Sequence, residues 1–375
     1  MTNPFLALPG AVGDVVAQHY GSPVQEQRAL EAGDAVVDLS HRGILTVSGV
    51  DRLSWLHSMT SQQLIGLRPG ESTETLLLDA NGRIEHAIRL VDDGETAWLL
   101  VDEDSAESLF AFLNRMRFAL RVEVADRSAE FAAVLAFGGG SAADKLRALD
   151  PVVEWRDPWA EVARGGFQYA GGEHPASSWS ATTFVFPVSS LDSVAALVRD
   201  GEVRAAGTMA LDALEVWAWR PSRVGDVDDR SIPHEFDWMR SAVHLDKGCY
   251  RGQETVAKVH NLGHPPRRLT LLHLDGSDGE LPVAGALIFK AGEGSDPEAR
   301  PVGRITRAAL HHEWGGIALA LLKRALPADA PLEVRGGDEA ADASAPAASV
   351  IAAAQEVIVP SDAGATRNIP RLKRL

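Results

Sequence analysis

From Arg268 onward the chain is written in short apolar runs, LTLLHL, ALIFKAG, VGRITRAAL, GIALALL and LEV, split by Gly, Pro and Asp. Runs of strand length at such close spacing point to a small antiparallel barrel or sandwich. The residues before them mix strand-like and helix-like patterns instead. An α+β part followed by an all-β part is therefore the expected order. A length of 375 residues also exceeds what one core usually organises, so two or three domains are expected. The boundaries fall at 1–265 for an α+β region of two lobes and at 266–337 for the barrel. Residues 338–375, rich in Ala, Asp and Ser, are expected to be mainly a mobile tail, with one further strand at VIAAAQEVIV and a basic end, RNIPRLKRL.

Inside the first region, Gln25 to Glu31 reads as a helix. Ala35–Leu39 and Ile44–Val47 read as strands, the second closed by Gly49. DRLSWLHSMTSQQL has apolar residues near helical spacing. TLLLDANGRIEHAIRLVDDGETAWLLVDED reads as strands joined by turns, because Asn81-Gly82 and Asp93-Gly94 tolerate positive φ. After Asp104, Leu109, Phe112, Leu113 and Met116 recur at i, i+3, i+4 and i+7, which predicts a helix. Met209 to Trp219 predicts another. GGGSAA at 138–143 satisfies a dinucleotide fingerprint in form, but no further βα units follow it. A tight strand-to-helix turn accounts for those glycines.

Acidic residues outnumber basic ones 52 to 36, for a net charge of −16, a poor footprint for a general nucleic-acid binder. No apolar run is long enough to cross a bilayer. The start has neither a basic n-region nor a continuous apolar h-region. A single cysteine forms no intrachain disulfide. A cytoplasmic protein is expected, with no nucleic-acid and no membrane partner.

That single cysteine sits in DKGCYRGQE, residues 246–254. A lone cysteine can be a small buried hydrophobe. Here Asp246, Lys247, Arg251 and Glu254 argue for a segment that touches solvent or a cleft. Gly248 and Gly252 let the backbone turn and a ligand approach. Lys247 and Arg251 would favour the thiolate, which is the nucleophile and metal ligand. His234, His244 and His260 are near in sequence, but nothing marks one of them as a base. Gly263 and Pro265 argue against a helix that would put His260 and His264 on one face, so HNLGH is not read as a zinc pair.

KGCYRGQE, residues 247–254, resembles the K-G-C-Y-x-G-Q-E signature of the YgfZ-type folate-binding proteins, relatives of the glycine-cleavage T-protein, an aminomethyltransferase. DLSHRGILTVSGVDRLSWLHSMTSQ, RPSRVGDVDDRSIPHE and VGRITRAALHHEWGGIALALLK resemble further blocks of that family in the right order, so the likeness covers about residues 30–335. It implies a three-lobed ring around a folate channel, tetrahydrofolate binding, and a role in making or repairing iron–sulfur clusters with the cluster-assembly machinery or client enzymes. It also implies that Cys249 is the functional thiol.

The folate's anionic tail would pair with Arg220, Arg223, Lys247 or Arg251. Its pterin would suit an aromatic-lined cleft with one carboxylate, from Glu235 or Glu254. Tyr250 and Gln253 complete the expected folate-side set, and no protein-held metal site is expected. One departure bears on activity. Aminomethyltransferases carry paired aspartates just after the hairpin glycine, where GRIEHA has His86 and Ala87. Two other readings therefore stand beside the maturation factor: a folate-dependent one-carbon transferase or demethylase, and a non-catalytic folate scaffold or sensor. Glu215 in ALEV also stands where relatives often show a basic residue.

Overall fold

A computed structural model describes residues 3–276, 280–296, 298–335 and 350–366. Two five-stranded sheets and a closed barrel make three lobes. The first sheet is antiparallel and runs, in spatial order, Ser72–Leu78, Ile84–Asp92, Thr96–Val101, Gly43–Ser48 and Glu123–Asp126. The second runs Arg204–Ala206, Ala35–Asp38, Phe131–Phe137, Ala181–Pro187 and Val153–Arg156, with only its first pair parallel. The barrel closes through Arg267–Leu274, Gly315–Lys323, Gly303–His311, Leu287–Lys290, Leu332–Arg335 and Val350–Val357.

The strand Val350–Val357 pairs with both Arg267–Leu274 and Leu332–Arg335. The barrel thus extends past the boundary expected at residue 337, and its last strand lies in the stretch expected to be mainly tail. The strand is the one expected at VIAAAQEVIV, and pairing on both edges satisfies its backbone. The basic residues Arg367, Arg371, Lys373 and Arg374 lie outside the described residues.

One apolar cluster joins the lobes. Leu76 and Leu100 come from the first sheet, Val37 and Val185 from the second, and Leu269 and Leu319 from the barrel. Burying side chains from all three in one core is what holds them as one body. The Asn81-Gly82 turn forms as its sequence predicts: Gly82 has φ +78, and Asp79 Oδ1 accepts from the backbone N–H of Asn81 and Arg83. The helix Glu103–Met116 buries Leu109 and Leu113, with Phe112 and Met116 packed at the edge of that core.

Two helices differ from expectation. The one opening at Arg52 ends at Met59, short of the periodic pattern, because Thr60 turns extended. Ser61 and Gln62 then reach across the fold instead, donating to Ala242 O and Ser241 O. The signature residues from Gln253 run on as a helix to Leu262. Gly263 ends it just before His264, so His260 and His264 are still not stacked as a pair. His260 Nδ1 meets Tyr169 OH at 2.9 Å and His264 Nδ1 meets Ala363 O at 2.8 Å. The glycines at 138–140 serve packing: a Cβ on Gly140 would stand 2.5 Å from the Gly33 backbone.

Candidate functional site

The thiol of Cys249 is exposed, on a loop held at both ends. Before it, the Lys247 side chain turns inward. Its Nζ donates to the carbonyls of His57, Thr60 and Gln62, at the end of the helix Arg52–Met59. Burial pushes the Lys247 ammonium down to about 7, and the three carbonyls pull the other way by matching its three donors. Tyr250 is buried with the same ammonium 4.8 Å from its ring centre. After the thiol, Arg251 bonds Glu85 and Gln253 Nε2 donates to Lys247 O at 3.2 Å. Gly252 has φ +84 and lies against the hairpin: a Cβ there would stand 2.6 Å from Asp79 O.

These contacts correct the expected roles of the loop cations. Lys247 is committed to backbone carbonyls and Arg251 to Glu85, so neither is a free charge aimed at the sulfur. Arg220 is buried between Glu74 and Asp157 at 2.7 and 2.9 Å and ties lobes together, with Nη1 buried and unpartnered. Burial opposes its charge, but Asp157 and Glu74 hold its ionisation above the usual range. Glu235 is fully buried, accepts from Ile232 N and pairs with Arg267 at 2.8 Å. Both of its oxygens accept hydrogen bonds within the fold. Glu254 is exposed in the first turn of its helix, where an acid suits the helix dipole, and has no hydrogen-bond partner among the described residues.

The concave space lies beside this loop, in two adjoining cavities. The outer one, about 560 Å³, is lined by Glu85, His86, Phe112, Arg115 and Arg223 among others. It touches the signature loop through Arg251, which bonds Glu85 and lies 5.6 Å from the Phe112 ring centre. The inner one, about 830 Å³, is lined by Leu39, His41, Arg42, Leu211, Asp212 and Arg307 among others. Asp104 and Val224 line both cavities, and Arg223 bridges to Asp104 at 2.5 Å where they meet. Cys249 lines neither; it is two residues from Arg251, whose partner Glu85 lines the outer one. A third cavity, about 780 Å³, lies between the 62–73 and 156–164 segments beside His244.

The inner cavity has unusual electrostatics. The Arg42 side chain has no hydrogen-bond or ion-pair partner among the described residues, and burial followed by repulsion from Arg89 pushes it down to about 10. His41 is held down to about 4, first by burial and then by Arg42, and its Nδ1 is buried without a partner. Asp102 bonds Arg89 at 3.3 Å through one oxygen and leaves the other buried and unpaired. Asp212 keeps 58% of its side chain accessible; the protein packed around it and then the neighbouring Glu215 raise it to about 6. Arg307 is committed to Glu215 and Asp226 at 2.7 and 3.0 Å, and stands 3.8 Å from Asp212. Unpaired buried polar groups are rare and costly; several around one cavity are donors and acceptors poised for a polar ligand.

In the outer cavity, His86 is buried and neutral, held down to about 4 by burial and by Arg223, with its Nδ1 unpartnered. Asp212 and Arg42, both on the wall of the inner cavity, were not singled out from sequence. The only faint signal was the DLSHRG block, which carries His41 and Arg42. Aromatic lining is also sparser than expected: the inner cavity walls are aliphatic and polar, and Phe112 alone of Phe, Tyr and Trp faces the outer one.

No protein-family model matches the chain. The fold superposes on the glycine cleavage system aminomethyltransferase T from Bartonella henselae with a TM-score of 0.72, covering 97% of each chain at 17% identity. An aminomethyltransferase from Thermus thermophilus is 27% identical over 86% of this chain and 89% of its own length. A chloroplastic Arabidopsis thaliana protein named as a transferase is 25% identical over 70% of this chain, which spans only 61% of that protein. Two further relatives are each 25% identical. The tRNA-modifying protein YgfZ of Edwardsiella ictaluri aligns over 78% of this chain and 85% of its own, and a mitochondrial iron–sulfur cluster assembly factor homologue of Mycosarcoma maydis over 62% and 55%. The chain has the aminomethyltransferase-like fold with a six-stranded antiparallel barrel at its C-terminal side, and it falls within the aminomethyltransferase-like superfamily. Among the described residues no helix is long and apolar enough to cross a membrane.

Proposed function

We propose that this chain is a tetrahydrofolate-binding factor that supports assembly or repair of iron–sulfur clusters in client enzymes, with Cys249 as its working thiol. The observation that carries the reading is the join between loop and cavities. An exposed thiol sits on a loop fastened through Arg251 to the rim of a cavity, and that cavity opens past the Asp104–Arg223 bridge into a larger one lined by unpaired polar groups. In this reading the pterin occupies the inner cavity. Asp212 accepts from its amino and amide N–H groups, Arg42 donates to its carbonyl oxygen, and Leu39 and Leu211 cover its faces. The rest of the folate passes Asp104 and Val224 into the outer cavity.

A thiolate is a soft ligand suited to iron and to cluster sulfur chemistry. Among the described residues no three His, Cys, Asp or Glu side chains stand together as metal ligands. The thiol therefore serves a cluster whose other ligands belong to the client. His86 supports this over one-carbon transfer. A neutral imidazole stands where the aminomethyltransferases carry aspartates, so that position lacks the negative charge that would assist an iminium-like transition state.

Calorimetric titration of the full chain with (6S)-tetrahydrofolate tests the binding step, with Asp212→Ala as the variant expected to weaken it at least tenfold. Activity of cluster-dependent enzymes in cells carrying Cys249→Ser tests the thiol, and a clear loss is expected. Absence of binding heat together with unchanged enzyme activity would refute the proposal. Turnover of methylene-tetrahydrofolate with an amine acceptor would replace it with the transferase reading.

A further inference from the structure

We infer that the free edge of the first sheet is a self-association surface, where two copies of this chain pair antiparallel through Glu123–Asp126 with Phe118 and Leu120 flanking the seam. The inference does not depend on the folate reading.

The strand Glu123–Asp126 is last in its sheet and pairs only with Gly43–Ser48 among the described residues. Arg127 N–H donates to Ile44 O at 2.8 Å, which fixes the alternation along this pair. Glu123 and Ala125 turn their backbone groups toward Gly43–Ser48, so Val124 and Asp126 turn theirs outward. Those outward groups have no hydrogen-bond partner among the described residues. An open edge of this kind is a template for a further strand.

The chain leading into the edge carries apolar surface. Phe118 is 80% exposed and sits at φ +43, a left-handed conformation that a bulky side chain rarely adopts. Strain held with no burial in return points to a contact outside the single chain. Leu120 is also exposed. Exposed Val50 adjoins them, because Arg121 fastens its turn through Asp51 at 3.0 Å.

The charges choose the occupant. Glu123 and Asp126 are exposed acids in a strand of four residues, and Arg127 follows them. Such an edge repels a strand that carries acids at the facing positions. A second copy running antiparallel does not. With a two-fold axis at Ala125, Val124 of each copy meets Asp126 of the other, and their outward groups exchange hydrogen bonds in both directions. The same register sets Glu123 of each copy opposite Arg127 of the other, an attractive pair on each side of the axis. Arg127 bonds Glu130 through Nε and Nη2, which leaves Nη1 for the second carboxylate. The edge also lies at the far end of the sheet from Ser72–Leu78 and Ile84–Asp92, beside which Arg251 and Gly252 hold the cysteine loop. Pairing there leaves the thiol open.

Sedimentation velocity of the full chain, from about 1 to about 200 µM, tests the inference. A monomer–dimer equilibrium is expected, with a dissociation constant on the order of 10 µM as suits a small interface. Phe118→Asp places a residue that tolerates positive φ at an exposed position, and should weaken the dimer at least about tenfold. Glu123→Arg and Arg127→Glu should each do the same, while the two together should restore the dimer, because the exchanged charges face each other again. That recovery separates strand pairing from a fold defect, and thermal melts by circular dichroism confirm that each variant is folded. A parent that stays monomeric across the range would overturn the inference. A dimer indifferent to Phe118→Asp and to both charge reversals forms through another face and would overturn it as well. Loss in each single reversal with no recovery in the double variant would overturn the antiparallel pairing.

Discussion

Replacing Lys247 with methionine should release the cysteine loop. The side chain is 6% exposed, and its ammonium is the shared donor for the carbonyls of His57, Thr60 and Gln62. Hydrogen bonds to a charged group are each worth roughly 1.5–3 kcal/mol, against several kcal/mol spent in desolvating the ammonium. Methionine fills much of the same space but donates nothing, so it leaves carbonyls in the interior without partners at about 1–3 kcal/mol apiece. The balance is a loss of about 2–4 kcal/mol, measured as a lower urea midpoint. The loop should respond more than the rest of the fold, because Gln253 and Tyr250 both rest on Lys247. Cys249 should then react faster with a disulfide reagent such as dithionitrobenzoate under native conditions. Lys247→Arg should give an intermediate result, since a planar fork cannot direct three N–H groups onto three converging carbonyls. A methionine variant within about 0.5 kcal/mol of the parent, with an unchanged thiol rate, would refute the idea that Lys247 staples the loop.

Two further outcomes follow from the same packing. Gly252→Ala places a Cβ 2.6 Å from Asp79 O and 2.9 Å from Gly82 Cα at φ +84; it should cost at least about 2 kcal/mol in urea unfolding and speed thiol labelling, and a neutral effect would mean the hairpin does not brace the loop. Asp237 is raised to about 7 by burial, although it accepts from Tyr169 N and Ala170 N. Its native state therefore binds a proton that the unfolded state has released, so its contribution to stability falls as pH rises from the ordinary carboxyl range through about 7. Asp237→Asn cannot ionise and loses one acceptor: it should be less stable than the parent near pH 5 and regain on the order of 2 kcal/mol relative to it by about pH 8. Parallel stability curves for the two proteins would remove Asp237 as the cause.

The elements that the sequence announced are those whose signals are local. The Asn81-Gly82 turn needs only a residue pair that tolerates positive φ, and the barrel runs are bounded by their own Gly and Pro. The exposure of the thiol was legible for the same reason, since one cysteine between glycines and charges is a local pattern. The cation roles were not legible, because a charge's role depends on what faces it. Lys247 and Arg251 sit on either side of the thiol in sequence, yet one turns inward to the end of a helix some 190 positions away and the other pairs with Glu85, 166 positions distant. Arg220 and Glu235, expected on the folate side, are buried with opposite charges drawn from distant segments, and Arg307 is another such joint. The residues left over by those joints carry the site. Once Arg307 has taken Glu215 and Asp226, and Arg89 has taken one oxygen of Asp102, what remains unpaired among the described residues is the Arg42 guanidinium, His41 Nδ1 and the second Asp102 oxygen, with Asp212 held only at 3.8 Å from Arg307. A site defined by what the structural ion pairs leave over becomes visible only when every pair has been made.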